Sequence, residues 1–364
     1  MEIITIILLL AFCFFMFIKS LYTQTSQQWW KKRMPYRRSS SSSRSSRSSS
    51  PSPIDEKEIP IQDTPPYVFP ALTPKTAAKT SMGLKRLEAS NWLPIDSHYH
   101  PEHDIRTALL STNHPNVVQC LPGSEAACQE VLDLVTDFLL SRYPKDFTVS
   151  TSSSGRIIHN HLTNESFHID NSPNPLEIAA RLAMEDFNIL MKSEETGDHH
   201  LMASATLFPA GWKLQERIGT SMANLHKPVP EWKKNLGGSV NRYFDHLNTR
   251  TSMERTNLFI QTTPHLFVDA PEIPNPQTVP EDLWIRRERQ TFRRLERSGA
   301  VLFTVRTYMQ RLVEVRGEEE LALRQQIAGL DEVVREYKGG KVWGNAFEMW
   351  CRGRDEMVEK TVGA

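Results

Sequence analysis

The stretch from residue 201 to residue 230 constrains the fold of this chain more than any other. It begins with an apolar, strand-like run at 201–208, turns at the Pro-Ala-Gly of 209–211 and continues as a helical segment. The helical segment ends near His226, because two prolines follow within four residues and proline cannot continue a helix. The stretch therefore predicts a strand, a turn and a helix with one histidine at its end.

Strands and short helices follow one another in a definite order around this stretch. We predict strands at 187–192, 201–208, 257–262, 283–294 and 300–307, with helices at 213–218, 221–225 and 240–247. Two strands, several helices and three strands are similar to the order of a Per-ARNT-Sim (PAS) domain, whose five-stranded antiparallel sheet encloses a pocket roofed by helices. The expected fold is therefore α+β, with a PAS-like antiparallel sheet and roofing helices.

Further elements are expected on both sides of this sheet in the sequence. The patterns predict helices at 102–110 and 124–143, a hairpin within 148–169, a helix running into a strand at 176–191, and C-terminal helices at 318–338 and 342–362. Ser124 is the expected N-cap of the second helix. The predicted sheet is thus flanked by N-terminal and C-terminal helices.

Two other groups of histidines have metal-ligating side chains but no metal-binding pattern. His98, His100 and His103 lie in a polar loop that a proline interrupts, and their spacing matches no zinc motif. A surface cluster is favoured over a metal site for this group. His199 and His200 lie in a polar turn between two predicted strands, where we expect them to face solvent.

An uncharged apolar run stands near the start of the sequence, at residues 3–18. Flanking residues extend it toward the roughly 20 residues that a bilayer-spanning helix needs. A cleaved signal peptide is the alternative, but it would have a basic start and small residues before the cleavage site, where this chain has Glu2 and Phe17. We therefore expect an uncleaved transmembrane signal anchor at 1–22.

Positive charges follow the apolar run and predict its orientation. Lys19, Lys31 and Arg33 lie on its C-terminal side, next to Trp29 and Trp30, which suit the membrane interface. The positive-inside rule then leaves the bulk of the chain in the cytosol. The layout is that of single-pass proteins of the endoplasmic reticulum that carry a cytosolic catalytic domain.

A disordered tether is expected at 23–80, between the anchor and the folded part. Residues 39–53 are wholly Ser, Arg and Pro, a composition that cannot bury enough apolar surface to fold, and a Pro-rich stretch at 60–74 extends it. A solvated linker that touches lipid head groups is favoured over an RNA-binding tail, so no nucleic-acid partner is expected. The folded domain is then 81–364.

Charge and cysteine content exclude several classes of protein. The 43 basic and 43 acidic residues balance, so no overall field attracts nucleic acid or acidic substrates. The four cysteines, Cys13, Cys120, Cys128 and Cys351, show no CxxC spacing. This argues against a disulfide framework, an iron–sulfur cluster and a structural zinc site, and it fits a reducing compartment.

Several sequence blocks together resemble a known family. They are MGLKRLEASNWLPID (82–96), LLSRYPKDF (139–147), RLAMED (181–186), LFPAGWKLQERIG (207–219), LHKPVP (225–230), RYFDHL (242–247) and RRERQTFRRLERSGAVLFTVRTY (286–308). In this order they resemble the haem-binding alpha subunit of haem-dependent oxidative N-demethylase, also called dimethylamine monooxygenase. The resemblance extends over about residues 82–340 and implies a PAS-fold haem oxygenase.

The resemblance also implies roles for particular residues. His226 in LHKPVP becomes the proximal haem ligand, and Glu185 or Asp186 in the MED block would hold a cationic amine and accept its proton. Haem-propionate binding is implied for Arg289 and Arg306, and a hydrogen bond to bound oxygen for Tyr308. From position alone, a buried histidine bonded to a backbone carbonyl is the favoured explanation of His226. Each charged residue is equally explained as part of a structural salt bridge.

The sequence departs from the family pattern at two positions. Met184 stands where Gln is expected before Glu-Asp, and Glu296 where Pro is expected before Arg-Ser-Gly. The first change is next to the implied substrate carboxylate and puts dimethylamine itself in doubt. The chain has no GxGxxG, flavin fingerprint or cysteine cluster, so electrons would come from a separate NADPH-linked reductase.

The sequence thus predicts a membrane-tethered monooxygenase that activates O2 at a His-ligated haem b. Its expected reaction is oxidative N-demethylation of a small amine, or a tailoring oxidation of a secondary metabolite. Two alternatives remain open at this point: a haem-based gas or redox sensor, and an interaction protein that has kept the fold and lost haem.

Overall fold

A computed structural model describes residues 61–69, 83–229 and 237–362 of the chain. The predicted anchor and most of the predicted tether lie outside these ranges. Within the same ranges, no helix combines the length and the apolar character that a bilayer span requires.

Antiparallel strands form two sheets. The strands are β1 (Lys85–Arg86), β2 (Val118–Cys120), β3 (Phe147–Ser152), β4 (Gly155–Asn160), β5 (Glu165–His168), β6 (Asp186–Lys192), β7 (His199–Ala205), β8 (Met253–Gln261), β9 (Trp284–Arg294) and β10 (Val301–Arg311). The main sheet has the order β1-β8-β9-β10-β6-β7-β2, and β3-β4-β5 form a small second sheet. The expected α+β fold with an antiparallel sheet is confirmed.

Helices lie between and after the strands. They are α1 (Tyr99–Thr112), α2 (His114–Val117), α3 (Glu125–Arg142), α4 (Pro175–Leu182), α5 (Met222–Leu225), α6 (Gly237–His246), α7 (Gly317–Ala328), α8 (Glu332–Tyr337) and α9 (Gly340–Val362). All five predicted strands correspond to β6 to β10, with the short helices between β7 and β8. The edge strands β1 and β2 were not predicted, because two or three residues carry no detectable alternation.

The pairing of β9 with its neighbours assigns side chains to the two faces of the main sheet. Gln290 stands opposite Arg255 and Val305, and Arg289 stands opposite Thr256 and Arg306. Directly opposite residues share a face, and successive residues alternate between faces. We call the side with Arg255 and Gln290 face A, and the side with Arg289 and Arg306 face B.

Each face has its own apolar core. On face A, strand residues such as Phe292 and Val301 pack with Met222 of α5 and Phe244 of α6. On face B, strand residues such as Phe187 pack with α3 and α4. A third cluster joins the ends of β8 and β9 to Trp343, Phe347 and Trp350 of α9. The sheet therefore separates two compartments.

Two local expectations were wrong for identifiable reasons. The helix expected at 318–338 is two helices, because Gly329 ends α7 and the Asp331 side chain accepts the Val334 amide to begin α8. His199 is 2% exposed rather than solvent-facing, since its ring packs against Phe244.

Part of the predicted tether packs on the domain. In the segment 61–69, the rings of Tyr67 and Phe69 lie 6.3 and 5.4 Å from the ring of Tyr308 on face B. The Thr64 carbonyl accepts the Ser97 amide at 2.9 Å. Ordered contacts thus begin earlier than residue 81, because two aromatic rings in this Pro-rich stretch find an apolar partner.

A buried carboxylate ties α3 to the turn between β9 and β10. Glu130 is 3% exposed, and its two oxygens accept the backbone amides of Arg297 and Ser298, each at 2.8 Å. We expect Glu130→Ala to lower the free energy of unfolding by about 1–3 kcal/mol, because two buried amides lose their acceptor. Urea denaturation measures this change.

The control for this variant is Arg297→Ala. Its side chain is 62% exposed and pairs with Asp133, whereas its backbone amide remains to bond Glu130. We expect a change within about 0.5 kcal/mol. Equal effects of the two substitutions would contradict the role given to Glu130.

Candidate functional site

The structure divides the predicted site residues between the two faces of the sheet. Arg289, Arg306, Tyr308 and Glu185 belong to a group on face B, and mutual electrostatic interactions join all four. His226 lies at the end of α5, which packs on face A. The resemblance implied one site for these residues, but the sheet stands between them.

His226 on face A is a neutral imidazole at pH 7. Its Nδ1 lies 3.0 Å from the Met222 carbonyl, which can only accept, so Nδ1 carries the proton. Burial, together with the positive charges of Arg255 and Arg217, lowers the pKa of His226 to about 4, against the opposing effect of the Met222 carbonyl. A neutral imidazole with Nδ1–H bonded to a carbonyl is the form in which histidine ligates metals through Nε2.

Two guanidinium groups next to His226 have no carboxylate partner within ion-pair distance among the described residues. Arg217 donates to the Leu225 carbonyl at 2.8 Å and stacks on Trp212, with 5.2 Å from Cζ to the ring centre. Arg255 has a buried Nε that no described residue accepts. Burial lowers the pKa of both arginines. Half-buried cations of this kind favour an anionic ligand.

A lysine adds to this positive cluster. Lys338, which follows α8, donates from Nζ to the Leu258 carbonyl at 3.0 Å and lies over the ring of Phe259. Burial lowers its pKa to about 8, and the neighbouring charges of Glu288 and Arg255 act in opposite directions. We call His226, Arg217, Arg255 and Lys338 the face A cluster.

Polar side chains form the part of face A next to this cluster. Glu288 is 7% exposed and accepts from Arg286 Nε at 3.3 Å and from Gln290 Nε2 at 2.9 Å. Its negative charge raises the pKa of both Arg255 and Lys338, against the larger lowering by burial. The sheet thus presents one oriented carboxylate beside an excess of positive charge.

On face B, by contrast, Arg306 and Arg289 already have carboxylate partners. Arg306 is bonded to Glu102 and lies 3.3 Å from Asp96, and Arg289 lies 2.7 Å from Glu254. Both arginines are at most 1% exposed. They also lie across the sheet from His226. The propionate-binding roles expected for Arg289 and Arg306 stay predictions.

Glu185 and Tyr308 of face B have side-chain oxygens without partners among the described residues. Both carboxylate oxygens of Glu185 and the hydroxyl of Tyr308 are buried and make no hydrogen bond there. Burial raises the pKa of Glu185 to about 7, although the charges of Arg306, Arg289 and Arg106 oppose the rise. Burial also raises the pKa of Tyr308. Glu185 is therefore close to half-protonated at neutral pH.

Asp186 differs from Glu185 because its carboxylate accepts backbone hydrogen bonds and pairs with an arginine. It accepts the amides of Leu207 and Phe208 at 3.1 and 3.0 Å and pairs with Arg106 at 3.1 Å. These bonds hold the end of β6 against the chain that follows β7. The two carboxylates of the MED block, which the resemblance treated as equivalent, thus have different environments. Asp186 holds β6 to the chain that follows β7.

The fold and the face A cluster define an α+β protein whose antiparallel sheet carries a cationic, histidine-containing site beneath short helices. A family model described as haem-dependent oxidative N-demethylase, alpha subunit-like, matches residues 83–348. The match covers well over half of the chain, so the protein belongs to this family. The suspected family is confirmed, and with it dependence on haem and an oxidative type of chemistry at the level of the family.

The residues of the face A cluster fit such a cofactor. Haem brings two propionate carboxylates and an iron that takes an imidazole nitrogen. The matching groups are the buried Nε of Arg255, which no described residue accepts, the guanidinium of Arg217, which has no carboxylate partner among the described residues, and the neutral ring of His226. No cluster of three or more His, Cys, Asp or Glu suited to a bare metal ion occurs in the described part of the chain.

Sequence reasoning missed four residues of this site. Arg217 and Glu288 lie inside the resembling blocks at 207–219 and 286–308, which are signals that could have pointed to them. Arg255 and Lys338 lie outside every block and are brought close only by the packing of β8 and α8. Their role depends on contacts across long sequence separations.

The raised pKa of Glu185 predicts that the stability of the protein falls as the pH rises toward neutral. Its folded pKa of about 7 lies above the ordinary value of 4.5, so the folded state binds more protons between these pH values. Stability is therefore lost as pH rises through this window, by about 3 kcal/mol at most. We expect Glu185→Gln to stabilise the protein at pH 8 and to change little at pH 5, as measured by urea denaturation at both values.

The neighbouring variant Asp186→Asn provides the contrast. It leaves the guanidinium of Arg106 buried without its carboxylate, so we expect a loss of about 3 kcal/mol at both pH values. A Glu185→Gln variant that loses stability at pH 8 would show that the carboxylate has a partner in solution.

Proposed function

We propose that the protein is a haem-dependent oxidative enzyme that binds haem b at the face A cluster, where His226 would hold the iron. The observation that carries the proposal is a neutral imidazole next to two half-buried guanidinium groups without carboxylate partners among the described residues. Family membership supports haem and oxidation. The roles of the individual residues are proposed from the geometry of face A.

Each residue of the cluster has a distinct role in binding. The bond from Nδ1 to the Met222 carbonyl orients the ring of His226 and directs Nε2 toward an iron. Arg217 and Arg255 pair with the propionates, since a guanidinium group binds a carboxylate through two parallel hydrogen bonds. Trp212 keeps Arg217 in place by stacking on it. These two arginines take the role that the sequence had suggested for Arg289 and Arg306.

Haem, when bound, supplies the activation of O2. The chain itself then has to orient the substrate on the same side of the sheet. Glu288 is the buried carboxylate of face A next to the cluster, and its bonds from Arg286 and Gln290 hold it in one orientation. We assign it the binding of a protonated small amine and the acceptance of its proton, because a carboxylate stabilises an ammonium ion. This suits oxidative N-demethylation.

The arrangement of elements supports a PAS-like reading of the fold. Strands β6 and β7 precede the short helices α5 and α6 in the chain, and β8 to β10 follow them. The five strands belong to one antiparallel sheet, and α5 and α6 cover its face A. The remaining partners are proposed from the sequence alone. They are O2, a separate NADPH-linked reductase, and the membrane of the endoplasmic reticulum through residues 1–22, with the domain in the cytosol.

Replacement of His226 tests whether this residue would ligate the haem iron. We expect His226→Ala to lose the Soret band of the haem-loaded protein and its shift with carbon monoxide, because the iron loses its nitrogen ligand. Visible spectra of the oxidised, reduced and carbon monoxide-treated protein measure this.

The matched control is His246→Ala. His246 also ends a helix and also bonds through Nδ1 to a carbonyl four residues earlier, Arg242 at 2.7 Å, but it is exposed. A normal haem spectrum in His226→Ala, or loss of haem in both variants, would overturn the assignment. Haem binding without amine oxidation in the presence of a reductase would favour a sensor.

The second test addresses the propionate partners. We expect Arg255→Gln to weaken haem binding by about tenfold, which corresponds to about 1.4 kcal/mol. The control is Arg293→Gln, since Arg293 is also half-buried and stacks on an aromatic ring, Trp92, but lies on face B. Haem titration by absorbance measures both affinities. A larger loss in Arg293→Gln than in Arg255→Gln would place the cofactor on face B.

A further inference from the structure

Two cysteines that are separate in the sequence lie side by side in the structure. The sulfurs of Cys120 and Cys128 are 3.8 Å apart, with the thiol of Cys128 donating to Cys120. Cys120 is exposed at the end of β2, whereas Cys128 is 1% exposed in the first part of α3. The pair therefore combines one thiol that solvent reaches with one that it does not.

A tight turn brings the two thiols together. Residues 121–124 reverse the chain between β2 and α3, with the Ser124 amide donating to the Leu121 carbonyl at 3.1 Å. Gly123 has a φ of +91°, a conformation that favours glycine. Cys128 then follows one helical turn after Ser124 and faces back toward β2. Spacing alone, eight residues without a CxxC pattern, does not reveal this contact.

We propose that Cys120 and Cys128 form a peroxide-oxidisable dithiol, in which Cys120 is the reacting thiol and Cys128 the resolving one. An accessible cysteine next to a second thiol is the arrangement that redox-sensitive pairs need, since the first oxidation product is captured before it oxidises further. The contact also favours ionisation of the outer sulfur. Donation from Cys128 lowers the pKa of Cys120, against the opposing effects of burial and the Glu125 carboxylate.

The chemistry balances with peroxide as the oxidant. The Cys120 thiolate attacks one oxygen of hydrogen peroxide, the O–O bond breaks, and the products are a sulfenic acid and water after proton uptake. The Cys128 sulfur then attacks the Cys120 sulfur, the S–O bond breaks, and a second water leaves. Two thiols are oxidised by two electrons in total, and one peroxide is reduced to two waters. The sulfurs approach from 3.8 Å to about 2 Å.

Peroxide is also what O2 reduction releases when no substrate is oxidised. That source rests on the proposed function, whereas the thiol chemistry does not. For this reason the test uses added hydrogen peroxide and the full chain without haem, so that failure of the haem assignment leaves the result interpretable.

The experiment follows the reduced full-length protein during titration with hydrogen peroxide, with quenching by N-ethylmaleimide and peptide mass mapping. We expect a bridged peptide that joins Cys120 to Cys128, formed at lower peroxide than any modification of Cys351 and reversed by dithiothreitol. Cys128→Ser should instead accumulate a sulfenic acid at Cys120, trapped by dimedone. Cys120→Ser should leave Cys128 reduced, because the buried thiol does not meet peroxide.

Cys351→Ser is the matched control, since Cys351 is half-buried on α9 and belongs to the cluster of Trp343 and Trp350. It should form the Cys120–Cys128 bridge at the same rate as the unmodified chain. Direct conversion of Cys120 to sulfinic acid without a bridge, a bridge only between two molecules, or equal oxidation of Cys128 in Cys120→Ser would each overturn the proposal.

Discussion

The register of β9 and β10 is the constraint on which the rest of the structure depends. Eleven consecutive pairs join the two strands, from Trp284 opposite Arg311 to Arg294 opposite Val301. A shift of β9 by one residue against its neighbours would move every side chain of β9 to the other face. It would bring Glu288 and Gln290 to the side of α3 and carry Arg289 to the side of His226. The chemistry of both compartments therefore follows from one hairpin.

The two faces handle buried charge in opposite ways. On face B, Arg306 and Arg289 are neutralised by acidic residues from distant segments, so neither of these two guanidinium groups is available to a ligand. On face A, Arg217 and Arg255 lie close to His226 without such partners among the described residues. A buried unpaired cation is costly, and a ligand that neutralises it recovers that free energy on binding. This difference is the physical reason for assigning the cofactor to face A.

The sequence predicted most of the central strands and helices but only part of the candidate site. The five central strands could be predicted because each is long enough to show a strand-like pattern, and His226 because prolines end its helix. Glu185 and Asp186 could not be distinguished, since the difference lies in the amides of Leu207 and Phe208 that reach only one of them. The tether was predicted from its composition, but two aromatic rings at 67 and 69 pack on the domain.

By itself, the sequence determined the family, the α+β class, the order of the central strands and the histidine at a helix end, because these depend on local patterns and on blocks of adjacent residues. Only the tertiary structure decided which side chains share a compartment. Arg255, Glu288 and Lys338 come together with His226 through strand pairing and helix packing, and Cys120 meets Cys128 through a turn. Such contacts depend on the register and faces of paired elements, which residue types and spacing along the chain do not specify.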